Sequence, residues 1–282
     1  MINPLHLLHV LIRKRLKRWE RRFTFTKRQQ FVGITVLLTM VLFLTQLVPA
    51  EWRYPMVGFL SILTYVSTAF ALREDLRGIE WVTLLTLPTL FTAAVSLFYF
   101  LLPVRWLTRV PVAALYAVGI YGLLLTENIY NVAANRTIAL LRAASSVGFL
   151  LSLTTYFLLV QTVLAFRFAP WVNMVSIGCI SFLLVFQGLW SVELDERVSR
   201  GAREITLVVT LVCAELAWVF SFWPVRTTIE ALFLTTCFYS MVGMGQQYLM
   251  QRLYKRTVIE FFTVAAIVFV VVLFTTHWRG NF

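Results

Sequence analysis

Charge is scarce in this chain. Only 13% of its 282 residues are Asp, Glu, Lys or Arg, while 60% are apolar and the mean hydropathy is +0.80. A soluble domain carries about a quarter charged residues, so the shortage excludes disorder and an ordinary soluble enzyme. Glycine and proline are few as well, at 12 and 8, which excludes collagen-like and low-complexity chains. Of the prolines, Pro88 alone lies well inside an apolar run. Pro49, Pro55, Pro103, Pro111, Pro170 and Pro224 mark the ends of runs, where a missing N–H does no harm. Continuous helices are expected, rather than the interrupted ones of midplane transport sites. The three cysteines, Cys179, Cys213 and Cys237, sit in apolar segments without metal or redox spacing. The three histidines, His6, His9 and His277, lie near the chain ends. Neither a metal centre nor a buried histidine relay is expected, and no cofactor is implied.

Long apolar runs are what the sequence has in abundance. A membrane span needs about 20 apolar residues, and runs fall near 31–48, 55–72, 80–102, 110–130, 138–166, 171–191, 204–222, 228–249 and 257–276. The predicted fold is an all-α, polytopic membrane bundle of about nine transmembrane helices, with residues 31–282 forming the transmembrane domain. Orientation follows from the basic residues, which concentrate on the cytoplasmic side. An N-terminus in the cytoplasm puts 19 of the 25 Lys and Arg inside, and leaves Arg53, Arg105, Arg109, Arg167, Arg226 and Arg279 outside. The odd span count then places the C-terminus outside.

Residues 1–30 read as a basic cytoplasmic leader rather than a secretory signal. Leu5, Leu8, Ile12, Leu16, Trp19 and Phe23 recur at spacings of three and four, with Arg and Lys on the other faces. Such a helix suits an interfacial position against anionic lipid headgroups, though a simple positive-inside anchor accounts for the same pattern. Nucleic acid is not an expected partner, because bases beside a membrane need no further explanation.

Two stretches of the chain read alike. Arg77-Gly78-Ile79-Glu80 leads through an apolar run to Phe98-Tyr99-Phe100 and Pro103-Val104-Arg105. Arg200-Gly201-Ala202-Arg203-Glu204 leads in the same way to Phe220-Ser221-Phe222 and Pro224-Val225-Arg226. Both continue to a basic residue and a threonine, at Arg136-Thr137 and Arg256-Thr257; the two prolines are 121 residues apart and these two arginines 120. The expectation is a parallel repeat of four helices, over 31–136 and 137–256, with 257–276 as an added span.

Three groups of residues are candidate sites. Glu215, placed near the middle of span seven, is expected to face the bundle, as a proton or cation site or as an interhelical hydrogen bond. Glu127, Asn128, Asn131 and Asn135 cluster at the cytoplasmic end of span four, and in the repeat they align roughly with Gln246 and Gln247. These amide-rich patches either line a cytoplasmic-side cavity or make contacts between helices. Externally, Arg105 and Arg109 beside Trp106, and Arg226 beside Trp223, read as grips for lipid phosphate or as snorkelling members of an aromatic belt. Catalytic motifs are missing: no phosphate loop, nucleophile elbow or His-Glu-x-x-His helix occurs.

The runs Ala71-Leu72-Arg73-Glu74-Asp75-Leu76, Phe98-Tyr99-Phe100-Leu101-Leu102-Pro103-Val104-Arg105-Trp106-Leu107-Thr108-Arg109, Leu125-Thr126-Glu127-Asn128-Ile129-Tyr130-Asn131 and Leu189-Trp190-Ser191-Val192-Glu193-Leu194 resemble an uncharacterised family of bacterial multi-span membrane proteins. The similarity extends over most of the chain after the leader. It implies a bacterial cytoplasmic membrane and no assigned activity. Two readings of function stay open. One is a non-enzymatic scaffold or complex subunit that binds membrane lipid, protein partners or further copies of itself. The other is a carrier for a small or lipid-linked substrate, using a polar cavity between the two repeats.

Overall fold

A computed structural model describes residues 26–45, 48–73, 78–102, 106–133, 140–194 and 198–276. Among them, nine α-helices follow one another in the order the apolar runs predict: α1 (Lys27–Thr45), α2 (Arg53–Leu72), α3 (Glu80–Leu101), α4 (Trp106–Ala133), α5 (Leu141–Ala165), α6 (Pro170–Glu193), α7 (Arg200–Phe220), α8 (Thr227–Leu249) and α9 (Lys255–Thr275). One turn of 3-10 helix, Ala50–Trp52, leads into α2. The protein is an all-α, multi-pass membrane bundle. Seven helices are long and apolar enough to cross a bilayer by themselves. The other two, α7 and α8, are more polar. Their 21 and 23 residues still reach about 31 and 34 Å at 1.5 Å per residue. Residues 1–25 of the predicted leader lie outside the described residues, and its last segment forms the first turn of α1.

Local chemistry sets the helix ends. At the start of α1 the Thr26 N–H donates to Gln29 Oε1 at 3.1 Å and the Gln29 N–H donates to Thr26 Oγ1 at 3.4 Å, a reciprocal cap. At the start of α7 the Ser199 hydroxyl accepts from the Ala202 N–H at 3.0 Å. Pro170 opens α6, and Pro111 lies in the first turns of α4. Pro88 sits inside α3, and the helix continues through it. Leu194 and Gln251 take left-handed backbone conformations, φ 53° and 57°, just beyond α6 and α8. They turn the chain where glycine is the usual occupant.

Packing closes each group of four helices in the same way. In α1–α4 the first helix packs on the second, the second on the third, the third on the fourth, and the fourth returns to the first; α5–α8 repeat that order. The seam between the groups joins α3 and α4 to α5, and α3 to α6, while α9 packs principally on α8. Small polar side chains are buried inside each group. Thr64 of α2, Thr92 of α3 and Tyr116 of α4 share hydrogen bonds of 3.2 and 3.0 Å. Tyr156 of α5 meets Ser181 of α6 at 3.1 Å and stacks on Phe238 of α8 with centroids 4.1 Å apart. Most buried hydroxyls also donate to the carbonyl four residues earlier, as Ser96 does to Thr92 O and Thr206 to Ala202 O. That is how threonine and serine are tolerated in so apolar an interior.

Candidate functional site

Because the helices alternate in direction, the ends of α2, α4, α6 and α8 meet the starts of α3, α5, α7 and α9 at one end of the bundle. This is the end with most of the basic residues. Here α5, α6, α8 and α9 surround a partly open cavity of about 870 Å³. Arg142, Ser145, Ser146 and Phe149 enter it from α5 at spacings of three, one and three, so they share a helix face. Ser191 comes from α6. Tyr239, Gly243, Gln246 and Gln247 come from α8, Arg252 from the turn beyond it, and Phe261 from α9. The left-handed Gln251 and a hydrogen bond from the Arg252 N–H to Gln247 O (2.9 Å) bring Arg252 to the rim.

One wall and the floor are fixed. Gln246 donates its amide to Gly188 O at 2.9 Å, tying α8 to α6. Phe149, Tyr239 and Phe261 form a run of rings with centroids 5.7 and 5.2 Å apart, spanning α5, α8 and α9. A side chain at 243 would meet the Phe261 ring at 2.6 Å, so α9 approaches α8 closely only because Gly243 has none. Among the described residues no acid lines the cavity, and Arg142 and Arg252 are both exposed to it.

Behind one wall lies a buried polar cluster. Glu127 and Asn131 are completely buried on α4. Gln187 of α6 donates to Glu127 Oε1 at 3.5 Å, and Asn131 donates to Leu72 O of α2 at 3.3 Å. Tyr130, from the same turn of α4, donates to Ala144 O at 3.2 Å and also faces the Ser145 and Ser191 hydroxyls. Tyr130 therefore stands between the cluster and the cavity. The two amide-rich patches do not share one cavity. Gln246 and Gln247 line it, while Glu127 and Asn131 tie α4 to α6 and α2, and Asn128 is half-buried beside them without lining it. Asn135 lies outside the described residues.

Among known families, a model described as "Protein of unknown function (DUF5656)" matches residues 132–275, just over half of the chain. The chain belongs to the DUF5656 family. No curated protein and no solved structure matches it. The matched segment begins as α4 ends and runs to the end of α9, so it contains every described residue that lines the cavity. Glu127, Asn128 and Asn131 precede it.

Glu215 also falls in the DUF5656 segment, but on the wrong side of its helix for the expected role. It is exposed on the outer face of α7 and does not line the cavity of about 870 Å³. The buried stripe of α7 is Ala202, Thr206, Val209, Cys213, Ala217 and Phe220. At 100° per residue, Glu215 lies about 200° from both Cys213 and Ala217, opposite that stripe. It also stands five residues before the end of α7, about 8 Å from it along the axis, rather than at mid-span.

The outer arginines are separated. Arg109 is half-buried in the first group, its backbone carbonyl accepting from the Tyr99 hydroxyl at 3.1 Å. Arg226 is exposed at the start of α8. Its neighbour Trp223 is committed to packing, stacked on Phe220 at 5.2 Å and donating to Thr276 at 2.9 Å. Arg105 lies outside the described residues. Arg142 and Arg252 are among the 19 basic residues assigned to the cytoplasmic side, and Tyr130, Ser145, Gln187 and Ser191 belong to none of the three candidate groups. The signal that would have found part of the set is the shared face of Arg142, Ser145, Ser146 and Phe149.

Proposed function

We propose that this protein is a non-enzymatic component of the bacterial cytoplasmic membrane that binds lipid, and through it or beside it partner proteins. Its N-terminus lies in the cytoplasm and its C-terminus outside. The observation that supports this reading is where the empty space lies. Mid-depth in the bundle, Tyr116, Tyr156 and Phe238 are fully buried and bonded or stacked to neighbouring helices. The large cavity sits instead at the basic end, inside the family-matched segment, and its described lining comes from α5, α6, α8, the turn beyond α8, and α9. A carrier built on two repeats would place its site between them at the midplane, so that reading has weaker support.

Mass spectrometry of the protein extracted in native lipid nanodiscs tests the proposal. A lipid or protein species retained in fixed ratio through detergent exchange is the expected result; a bare chain would overturn it. Thiol labelling of single cysteines checks the orientation. A cysteine at 282 should react from outside intact cells, and one at 27 should react only after permeabilisation.

A further inference from the structure

We propose that the basic-end cavity is a site for the phosphate head of one anionic phospholipid, drawn from the surrounding leaflet; this rests on the lipid-binding reading above and names its ligand. The lining is polarised. At the rim stand Arg142 and Arg252, and among the described residues neither is in an ion pair and no acid lines the cavity with them. A guanidinium pair with no internal carboxylate is matched to a phosphate, because each fork binds two of its oxygens. Ser145 and Ser191, whose hydroxyls donate to Leu141 O and Gly188 O, offer acceptors to glycerol hydroxyls, and the Gln247 amide adds a donor suited to an ester carbonyl.

The depth and the floor separate a lipid from a soluble phosphate. The rim lies where α5 begins and α8 ends, which the orientation proposed above puts at the level of the headgroups. Below it are the rings of Phe149, Tyr239 and Phe261, which a free phosphate would leave uncovered but an acyl chain would cover. The way out for that chain is along α9. That helix packs principally on α8, and Val272 is its one fully buried residue among those described. The volume of about 870 Å³ falls in the range of ligand pockets, and it accommodates a headgroup with the first part of its chains, the remainder lying against α9.

The test uses the full chain in vesicles of phosphatidylcholine, with or without added phosphatidylglycerol, followed by native mass spectrometry of the lipid retained. Wild type should keep one phosphatidylglycerol in preference to phosphatidylcholine. Arg142→Gln or Arg252→Gln should each weaken retention about tenfold, the scale of one hydrogen bond to a charged group, and the double variant should abolish the preference. Arg203→Gln, at the same end but outside the cavity, should behave as wild type. The double Arg→Lys variant, which keeps charge without the fork, should retain part of the preference and shows that the Gln variants have not simply misfolded. Anionic lipid kept equally by the double Gln variant would overturn the site while leaving a lipid-binding function in place. Displacement by inorganic phosphate as effective as by phosphatidylglycerol would overturn the lipid as its source. A wild-type protein that retains neither lipid nor partner would overturn both readings together.

Discussion

The Tyr130 hydroxyl occupies the space that a side chain at position 148 would need. A methyl group on Gly148 would lie 2.7 Å from that oxygen and 3.2 Å from Thr126 Cγ2. Tyr130 cannot swing aside, because its ring is buried between α4 and α5 and its hydroxyl is bonded to Ala144 O. Gly148→Ala should therefore destabilise the protein by about 1–3 kcal/mol, the usual cost of overpacking, seen as a lower thermal midpoint in detergent. Gly58→Ala is the comparison. Nothing lies within 4 Å of its added methyl, so the helix should gain by about 0.5–1 kcal/mol. Glu215 calls for the opposite kind of test. An outward-facing acid on a spanning helix costs up to about 2.5–3.5 kcal/mol at the bilayer centre and less towards the end. Glu215→Leu should then raise the thermal midpoint or leave it unchanged. A marked fall would mean that the carboxyl meets a partner that an isolated chain does not show.

Among the elements, α7 shows best how a cap and its neighbourhood act together. Ser199 accepts from the Ala202 N–H, while its own N–H and hydroxyl donate to the Glu193 carboxylate at 3.2 and 2.6 Å. The end of α6 is thus fastened to the start of α7. Ser199→Ala should cost about 1 kcal/mol, the typical worth of an N-cap. Ser199→Asp, ordinarily as good a cap as serine, should be no better than alanine here, because its carboxylate would stand against that of Glu193. Thermal unfolding of the two variants side by side checks this. The helices themselves were legible in the sequence, since each is an apolar run long enough to span and bounded by prolines, caps or charges. The stripe of α7 was legible too: the apparent depth of Glu215 points it into the bundle, but its angle from Cys213 puts it on the opposite face. The cavity was not legible. It depends on which helices become neighbours, and in a membrane that choice rests on small contacts, such as Gly243 under Phe261, rather than on hydrophobic pattern.

At the scale of the whole molecule, the two groups of four helices pack their members in the same cyclic order, and a duplication of 31–136 as 137–256 is a proposal for superposition to test. Two of the equivalences that would test it most directly, Pro103 with Pro224 and Arg136 with Arg256, each have one member outside the described residues. The family match offers another route. It begins at 132, beside the boundary of the proposed repeats, and ends at 275 with α9. A fragment of residues 132–282 contains a closed ring, α5 on α6, α6 on α7, α7 on α8 and α8 on α5, together with α9. Removing α1–α4 would expose the faces of α5 and α6 that meet α3 and α4. In water that exposure would be ruinous, but in a bilayer those faces meet lipid tails about as apolar as the side chains they replace. The fragment should insert, keep its helical circular dichroism and retain the same anionic lipid as the full chain, since every lining residue of the cavity is present. A fragment that is degraded, or that folds without its lipid preference, would mean that the seam with α3 and α4 shapes the cavity, and that the five-helix segment is not an independent unit.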